Sequence, residues 1–221
     1  MGKLIVIEGT DGSGKATQTG LLTDWLTKGG RTVRRLEFPR YSEESSALVR
    51  LYLNGSFGSR PEDVNAYAAS TFFAVDRFAS FKQDWGGYYF GGGLVVTDRY
   101  TTSNAVHQAP KLKAEERTGY VEWLFDFEYR LMGLPEPDLV IYLDMPTEIT
   151  EKMMLRRREN TGESSDIHES DEGYLKRCRE FALSTAENYG WHVISCAEQG
   201  APRSVESIHE DIIKCVEPLL R

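Results

Sequence analysis

At 221 residues, 40% of them hydrophobic, the chain is long enough to bury one α/β core, and a formal net charge of −8 leaves no general basic face for nucleic acid or an acidic membrane. Its three cysteines, Cys178, Cys196 and Cys215, stand far apart with no C-x-x-C spacing, which argues against a zinc site or a disulfide framework. No apolar stretch approaches membrane-spanning length and no basic leader is present, so the expected compartment is a reducing cytoplasm.

The first element, Lys3–Glu8 (KLIVIE), is a short β-branched run bounded by glycine, the pattern of a strand buried on both faces. The loop GTDGSGKA follows directly. From Lys15 the residues Leu21, Leu22, Trp25 and Leu26 recur at helical spacing until Gly29 and Gly30 end the run. Further strands are predicted at 32–38, 94–98, 139–144 and, more weakly, 192–195. Between them lie helical patterns at 62–85, 114–132, 147–158, 172–189 and 204–220. Strands alternating with helices predict a five-stranded parallel sheet covered on both sides, in one domain spanning 1–221.

The glycine loop nearly matches the phosphate-binding pattern G-x-x-x-x-G-K-S/T. Between a strand and a helix, such a loop turns backbone N–H groups inward toward phosphate oxygens at the helix's positive end. Gly9, Thr10, Asp11, Gly12, Ser13, Gly14, Lys15, Ala16 and Thr17 are therefore the expected ATP site, with Lys15 as a mobile charge between the β- and γ-phosphates. Ala16 stands where a hydroxyl normally meets magnesium. Either Thr17 shifts into that role, the ion keeps an extra water, or catalysis is weakened. Asp11 is either a turn-forming residue or a hydrogen-bond partner for a sugar hydroxyl of an acceptor beside the loop.

The strand at 94–98 ends in Asp98-Arg99-Tyr100, and ligands of open parallel sheets collect at the carboxyl ends of strands. Arg99 offers a planar fork able to bridge a donor phosphate and an acceptor phosphate. Asp98 is a candidate to hold magnesium through water, with Thr17 the second candidate for the metal.

Four motifs in order, GTDGSGK, Phe38-Pro39-Arg40, Phe73-Ala74-Val75-Asp76-Arg77 and DRYTTSNAVHQ over residues 98–108, resemble those of the thymidylate kinase family. The resemblance runs nearly the whole length. It implies the P-loop NTPase fold with a short lid, ATP as phosphoryl donor, Mg2+ as cofactor and dTMP as acceptor. By the same resemblance the acceptor residues are Asp11, Phe38, Arg40, Phe73, Arg77, Arg99, Tyr100, Ser103, Asn104, His107 and Gln108. Phe73 would stack on thymine and Arg77 reach the base's carbonyl edge. Ser103, Asn104 and Gln108 would line the base pocket, and Arg40 would meet the acceptor phosphate. His107 departs from the tyrosine common in relatives, which opens the question of ribonucleotide rejection. The loop 197–203 falls where relatives hold adenine.

Residues 156–170 form the expected lid. Arg156, Arg157 and Arg158 end a helical pattern before a polar stretch, and the resemblance implies that one of them supplies a catalytic arginine, alongside Lys15 and Arg99. The family commonly forms two-fold dimers by packing helices; apolar positions in 67–81 and 121–131 are either that face or core. Competing expectations are a kinase for another deoxynucleotide or a deoxynucleoside, suggested by His107, and a catalytically weakened nucleotide-binding regulator, suggested by Ala16.

Overall fold

Residues 1–161, 167–168 and 171–221 are described by a computed structural model, the side chains of 156–161 and 172 excepted. Five strands, β1 (Lys3–Glu8), β2 (Val33–Glu37), β3 (Leu94–Asp98), β4 (Leu139–Asp144) and β5 (His192–Ser195), form one parallel sheet in the order β2-β3-β1-β4-β5. The order reverses at β1, so the crevice beyond its carboxyl end, between β1 and β3, is where a ligand of such a sheet sits.

Both faces of the three central strands are buried, which is why β1, β3 and β4 read as continuous apolar runs. Leu4, Val6, Val95, Val140 and Tyr142 face one cluster with Trp85, Tyr89, Tyr100, Tyr174 and Cys178. Their neighbours Ile5, Ile7, Val96, Ile141 and Leu143 face the other, against Leu22 and Leu26 of α1 (Lys15–Lys28) and Ile208, Ile212 and Val216 of α9 (Val205–Val216). Each buried aliphatic side chain contributes about 1.5–3 kcal/mol relative to exposure. The edge strand β2 carries Arg34 and Arg35, charges that discourage edge-to-edge pairing.

The remaining helices are α2 (Ala47–Leu53), α3 (Ala66–Ser80), α4 (Gly86–Phe90), α5 (Thr101–Gln108), α6 (Ala114–Phe125), α7 (Thr147–Thr161) and α8 (Glu172–Tyr189). The pattern at 62–85 is shorter as a helix than its periodicity predicts. Asn65 starts α3 by accepting from the Ala68 N–H at 2.9 Å, and residues 81–85 open into a π-turn. The turn leads into Gly86, where a Cβ would lie 2.5 Å from the Phe81 carbonyl oxygen. Similarly, 114–132 divides into α6 and a π-segment, Asp126–Leu131, that carries the fully buried Glu128. β2 is also shorter than 32–38, although the Phe38 N–H still donates to the Asp98 carbonyl at 3.0 Å before Pro39 ends the ladder.

The loop 197–203 is a small hairpin of β6 (Ala197–Glu198) and β7 (Ala201–Pro202), held by Arg203, which donates to the Ser195 carbonyl at 2.6 Å and to Asp211 at 2.7 Å. Of the apolar surfaces considered, Phe81, Val121 and Leu124 are core, whereas Tyr67, Val75 and Leu131 are exposed. Among the described residues no helix is long and apolar enough to cross a membrane.

Candidate active site

The glycine loop joins β1 to α1. Gly9, Gly12 and Gly14 have φ of 156°, 78° and 89°, conformations that favour glycine, and Gly14 caps α1. At Gly12 a Cβ would meet Thr150 Cβ and the Thr150 carbonyl at 3.1 Å, so α7 packs directly over the loop. Lys15 is buried and donates from Nζ to the Thr10 carbonyl at 2.9 Å. Its pKa is lowered, by burial first and then by Arg99. Ser13 Oγ is buried without a hydrogen-bond partner among the described residues. Ala16 and Thr17, by contrast, are exposed on the first turn of α1.

Arg99 organises the crevice. It leaves β3 with φ 67°, an uncommon conformation for a residue with a Cβ, secured by its N–H to the Ile7 carbonyl at 3.1 Å and by Thr97 Oγ1 donating to its carbonyl at 2.8 Å. From Nη2 the guanidinium donates to Asp11 Oδ1 at 2.5 Å. From Nη1 it reaches His107 Nε2 at 3.0 Å, Ser103 Oγ at 3.4 Å and the Gly9 carbonyl at 3.5 Å. Burial alone would lower the Arg99 pKa, but the facing Asp11 and Glu8 carboxylates raise it. Burial likewise pushes Asp11 up, and the Arg99 and Lys15 charges override it and hold the carboxyl well below the usual range.

Glu8 closes the floor. Fully buried at the end of β1, it accepts from the Gly9 N–H at 3.1 Å and from Thr102 and Ser103 hydroxyls at 2.8 Å, with Arg99 3.7 Å away. Burial raises its pKa. The sequence reading overlooks it, although a carboxylate ending an apolar strand beside a phosphate loop is itself a signal.

Beyond Arg99 lies a cleft of about 530 Å³, part of it open to solvent, lined by Asp11, Phe38, Pro39, Tyr41, Leu53, Phe73, Arg77, Arg99, Ser103, Asn104, His107, Gln108 and His168. Most of the acceptor residues expected from the sequence therefore converge. Arg77 is paired bidentately with Glu128, Nε to Oε2 at 2.7 Å and Nη2 to Oε1 at 2.5 Å, while Nη1 donates to the Tyr100 carbonyl at 3.4 Å. Asn104 donates to the Ser70 carbonyl at 3.2 Å and to Glu128 at 3.4 Å. Gln108 Oε1 is buried without a hydrogen-bond partner among the described residues.

Two acceptor residues lie elsewhere. The Tyr100 ring stands outside that lining, fully buried among Phe38, Trp85 and Tyr129, its hydroxyl donates to the Pro135 carbonyl at 3.1 Å, and its main chain accepts from Arg77. The apolar cluster beneath the sheet has claimed the ring. Arg40 stands beside the cleft, outside its lining, tied to Asp76: its N–H donates to Oδ2 at 2.8 Å and its guanidinium to Ser45 Oγ at 3.1 Å. The side chains of Arg156, Arg157 and Arg158 lie outside the described residues, as do 162–166 and 169–170 of the expected lid.

The thymidylate kinase family model matches residues 7–212. The chain belongs to the thymidylate kinase family. It is therefore a nucleoside monophosphate kinase. Thymidylate kinase from Mycobacterium tuberculosis is 33% identical over 196 residues, covering 86% of this chain and 90% of that protein. A probable thymidylate kinase from Pyrococcus abyssi is 31% identical over 98% of this chain and 96% of its own. The solved thymidylate kinase structure from Candida albicans shares the fold with a TM-score of 0.73 and 21% identity, over 99% of this chain and 92% of that one.

Two imidazoles in this thymidylate kinase cleft are held neutral. His107 and His168 lie parallel, ring centroids 5.8 Å apart at 12°. Burial lowers the pKa of His107 well below 6.5 and that of His168 to about 3. At His168 the unfolded chain then binds more protons than the folded one between pH 6.5 and about 3, and His107 shifts in the same direction. The stabilisation is complete above pH 6.5 and is lost as pH falls through that window. In His168→Phe the fall in unfolding midpoint between pH 7 and 4 should be shallower than in the parent protein, read by thermal denaturation; an equal slope would refute the assignment.

Proposed function

We propose that this kinase transfers the γ-phosphoryl group of ATP to dTMP, releasing dTDP and ADP, in the crevice beyond β1 and β3. The observation that carries the reading is Arg99: one guanidinium touches Asp11 of the phosphate loop and Ser103 and His107 of the cleft wall, so seats for two anions share one cation. Residues 9–17 hold the ATP phosphates, with Lys15 on the transferred group. Phe38, Phe73, Arg77, Ser103, Asn104 and Gln108 hold the base, and Arg40 and Arg99 the acceptor phosphate. Asp11 and His107 stand beside the sugar. One of Arg156, Arg157 and Arg158 completes the charge from α7, and the hairpin 197–203 lies beside adenine.

Phosphoryl transfer of this kind needs alignment and charge compensation more than proton abstraction, and the acceptor phosphate is already anionic. The role of general base is empty. When bound, Mg2+ supplies charge compensation between donor phosphates. Among the described residues there is no cluster of three acidic, histidine or cysteine ligands, which fits an ion held mainly by phosphates and water. Asp98, close enough to Lys15 for its charge to oppose the lowering by burial and Arg99, is the carboxylate at hand, and the exposed Thr17 hydroxyl is the substitute for the one missing at Ala16.

A second copy of the chain is the expected partner, with exposed Tyr67 and Val75 of α3 as its apolar face. Neither nucleic acid nor a membrane is an expected partner, and the cytoplasm is the expected compartment. The deciding experiment measures ADP release with thymidine, dTMP, dUMP, UMP and dGMP, with and without Mg2+. The expected result is Mg2+-dependent turnover with dTMP preferred. Turnover with thymidine and not dTMP, or ADP release indifferent to every acceptor, would overturn the proposal.

A further inference from the structure

Three residues that none of the four motifs contains form a connected chain against the cleft. Lys111, in the turn after α5, donates from Nζ to the Tyr52 hydroxyl at 2.6 Å and to the Val64 carbonyl at 3.0 Å. The Tyr52 hydroxyl, from α2, meets His168 Nε2 at 2.7 Å. The tyrosine oxygen thus accepts from lysine and is hydrogen-bonded to His168 Nε2 as well, so one hydroxyl ties the lysine to the imidazole. The two rings meet edge-on, centroids 5.4 Å apart.

The chain continues through His107. Its ring lies parallel to that of His168, and its Nε2 faces Arg99 Nη1 at 3.0 Å. A guanidinium only donates, so this Nε2 accepts and the ring's proton is on Nδ1. Tyr174 donates its hydroxyl to the His107 carbonyl and fixes the backbone. Tyr52, His107, His168 and Tyr174 are all buried. Burial pulls Lys111 down to about 7 against the opposing charge of Glu62, and neutral or charged, its nitrogen carries hydrogens for both bonds.

We propose that Lys111, Tyr52 and His168 are positioning residues of the acceptor site, holding the His107 ring in the orientation that accepts from Arg99 and so aiming the guanidinium at the acceptor. This rests on the placement of Arg99 and His107 at the acceptor given above. None of the three touches the reacting atoms. Lys111 and Tyr52 stand outside the cleft lining, and their effect on dTMP passes through His168 to His107.

Tyr52→Phe keeps the ring, which packs on Phe72, Phe73 and His168, and deletes only the hydroxyl. The KM for dTMP should rise about fivefold, the loss of one hydrogen bond's worth of orientation, with kcat and the KM for ATP within about twofold. The decisive measurement is a double-mutant cycle with His107→Ala. If Tyr52 acts through His107, Tyr52→Phe changes the KM less than about 1.5-fold in the His107→Ala background. The same factor in both backgrounds, or no rise in the parent background, overturns the proposal. Lys111→Met should repeat the pattern.

An independent readout is the imidazole 15N spectrum of His107. In the parent protein Nε2 gives the signature of an unprotonated acceptor, and in Tyr52→Phe the His107 resonances should shift. Unchanged His107 resonances overturn the chain whatever the kinetics. If His107→Ala leaves the KM for dTMP unchanged, the placement of His107 at the acceptor fails instead, and the spectrum alone judges the chain.

Discussion

Arg99→Met is expected to lower kcat/KM for dTMP by about 10³-fold or more, with the KM for ATP changed far less. Methionine keeps the length and the apolar stem but removes the cation that contacts Asp11 at 2.5 Å and His107 at 3.0 Å. Among the described residues, Arg99 is the cation that contacts both the loop and the cleft wall. Lys15 is held within its own loop by the Thr10 carbonyl, and Arg40 is tied to Asp76 and Ser45. Arg99→Lys should recover little, since an ammonium is a single point of charge and cannot serve two directions as a planar fork does. The fold should tolerate the change: Glu8 keeps its bonds from the Gly9 N–H, Thr102 and Ser103, and burial already favours its neutral form. Steady-state ADP release at saturating ATP measures the effect. A loss under about tenfold would show that Arg99 does not stand between the two anions.

The sheet was legible because its central strands β1, β3 and β4 are short apolar runs separated by glycines and helical patterns, and burial on both faces makes those runs nearly continuous. The crevice was legible for a related reason. The glycine loop and Asp98-Arg99 each end a strand, and parallel topology sends both to one edge. What escaped was whatever depends on distant contacts or on helix pitch. α2, seven residues long, is too short for periodicity to separate from a loop. The π-segments at 81–85 and 126–131 share the apolar spacing of the α-helices they extend, so nothing in the pattern marks Glu128 as buried. Tyr52 and His168 are 116 residues apart, and nothing local in either marks their bond. The place of the Tyr100 ring was hidden in the opposite direction. Its motif pointed to the site, but the aromatic cluster under the sheet took its ring.

Glu128→Gln is expected to be the most destabilising conservative change in the cleft wall, costing about 3–5 kcal/mol. The residue is isosteric, so the loss is electrostatic. Arg77 is 1% exposed and Glu128 0%, and the glutamate accepts from both Arg77 nitrogens, from Thr101 at 2.8 Å and from Asn104 at 3.4 Å. Burial alone would lower the Arg77 pKa, and the glutamate charge reverses this, raising it. An amide leaves that guanidinium buried without a counter-charge and turns two N–H groups toward other donors. Arg77→Met/Glu128→Leu removes both charges together and should cost much less than Glu128→Gln, because paired burial of ions gains little over apolar packing while an orphaned ion is expensive. Equilibrium urea unfolding separates the cases, and a Glu128→Gln loss below about 1 kcal/mol would refute the argument. The double variant then also separates fold from function. It restores the wall without the guanidinium, so a stable protein with a raised KM for dTMP identifies Arg77 as a base contact, and an unchanged KM leaves the ion pair only the task of joining α3 to the segment after α6.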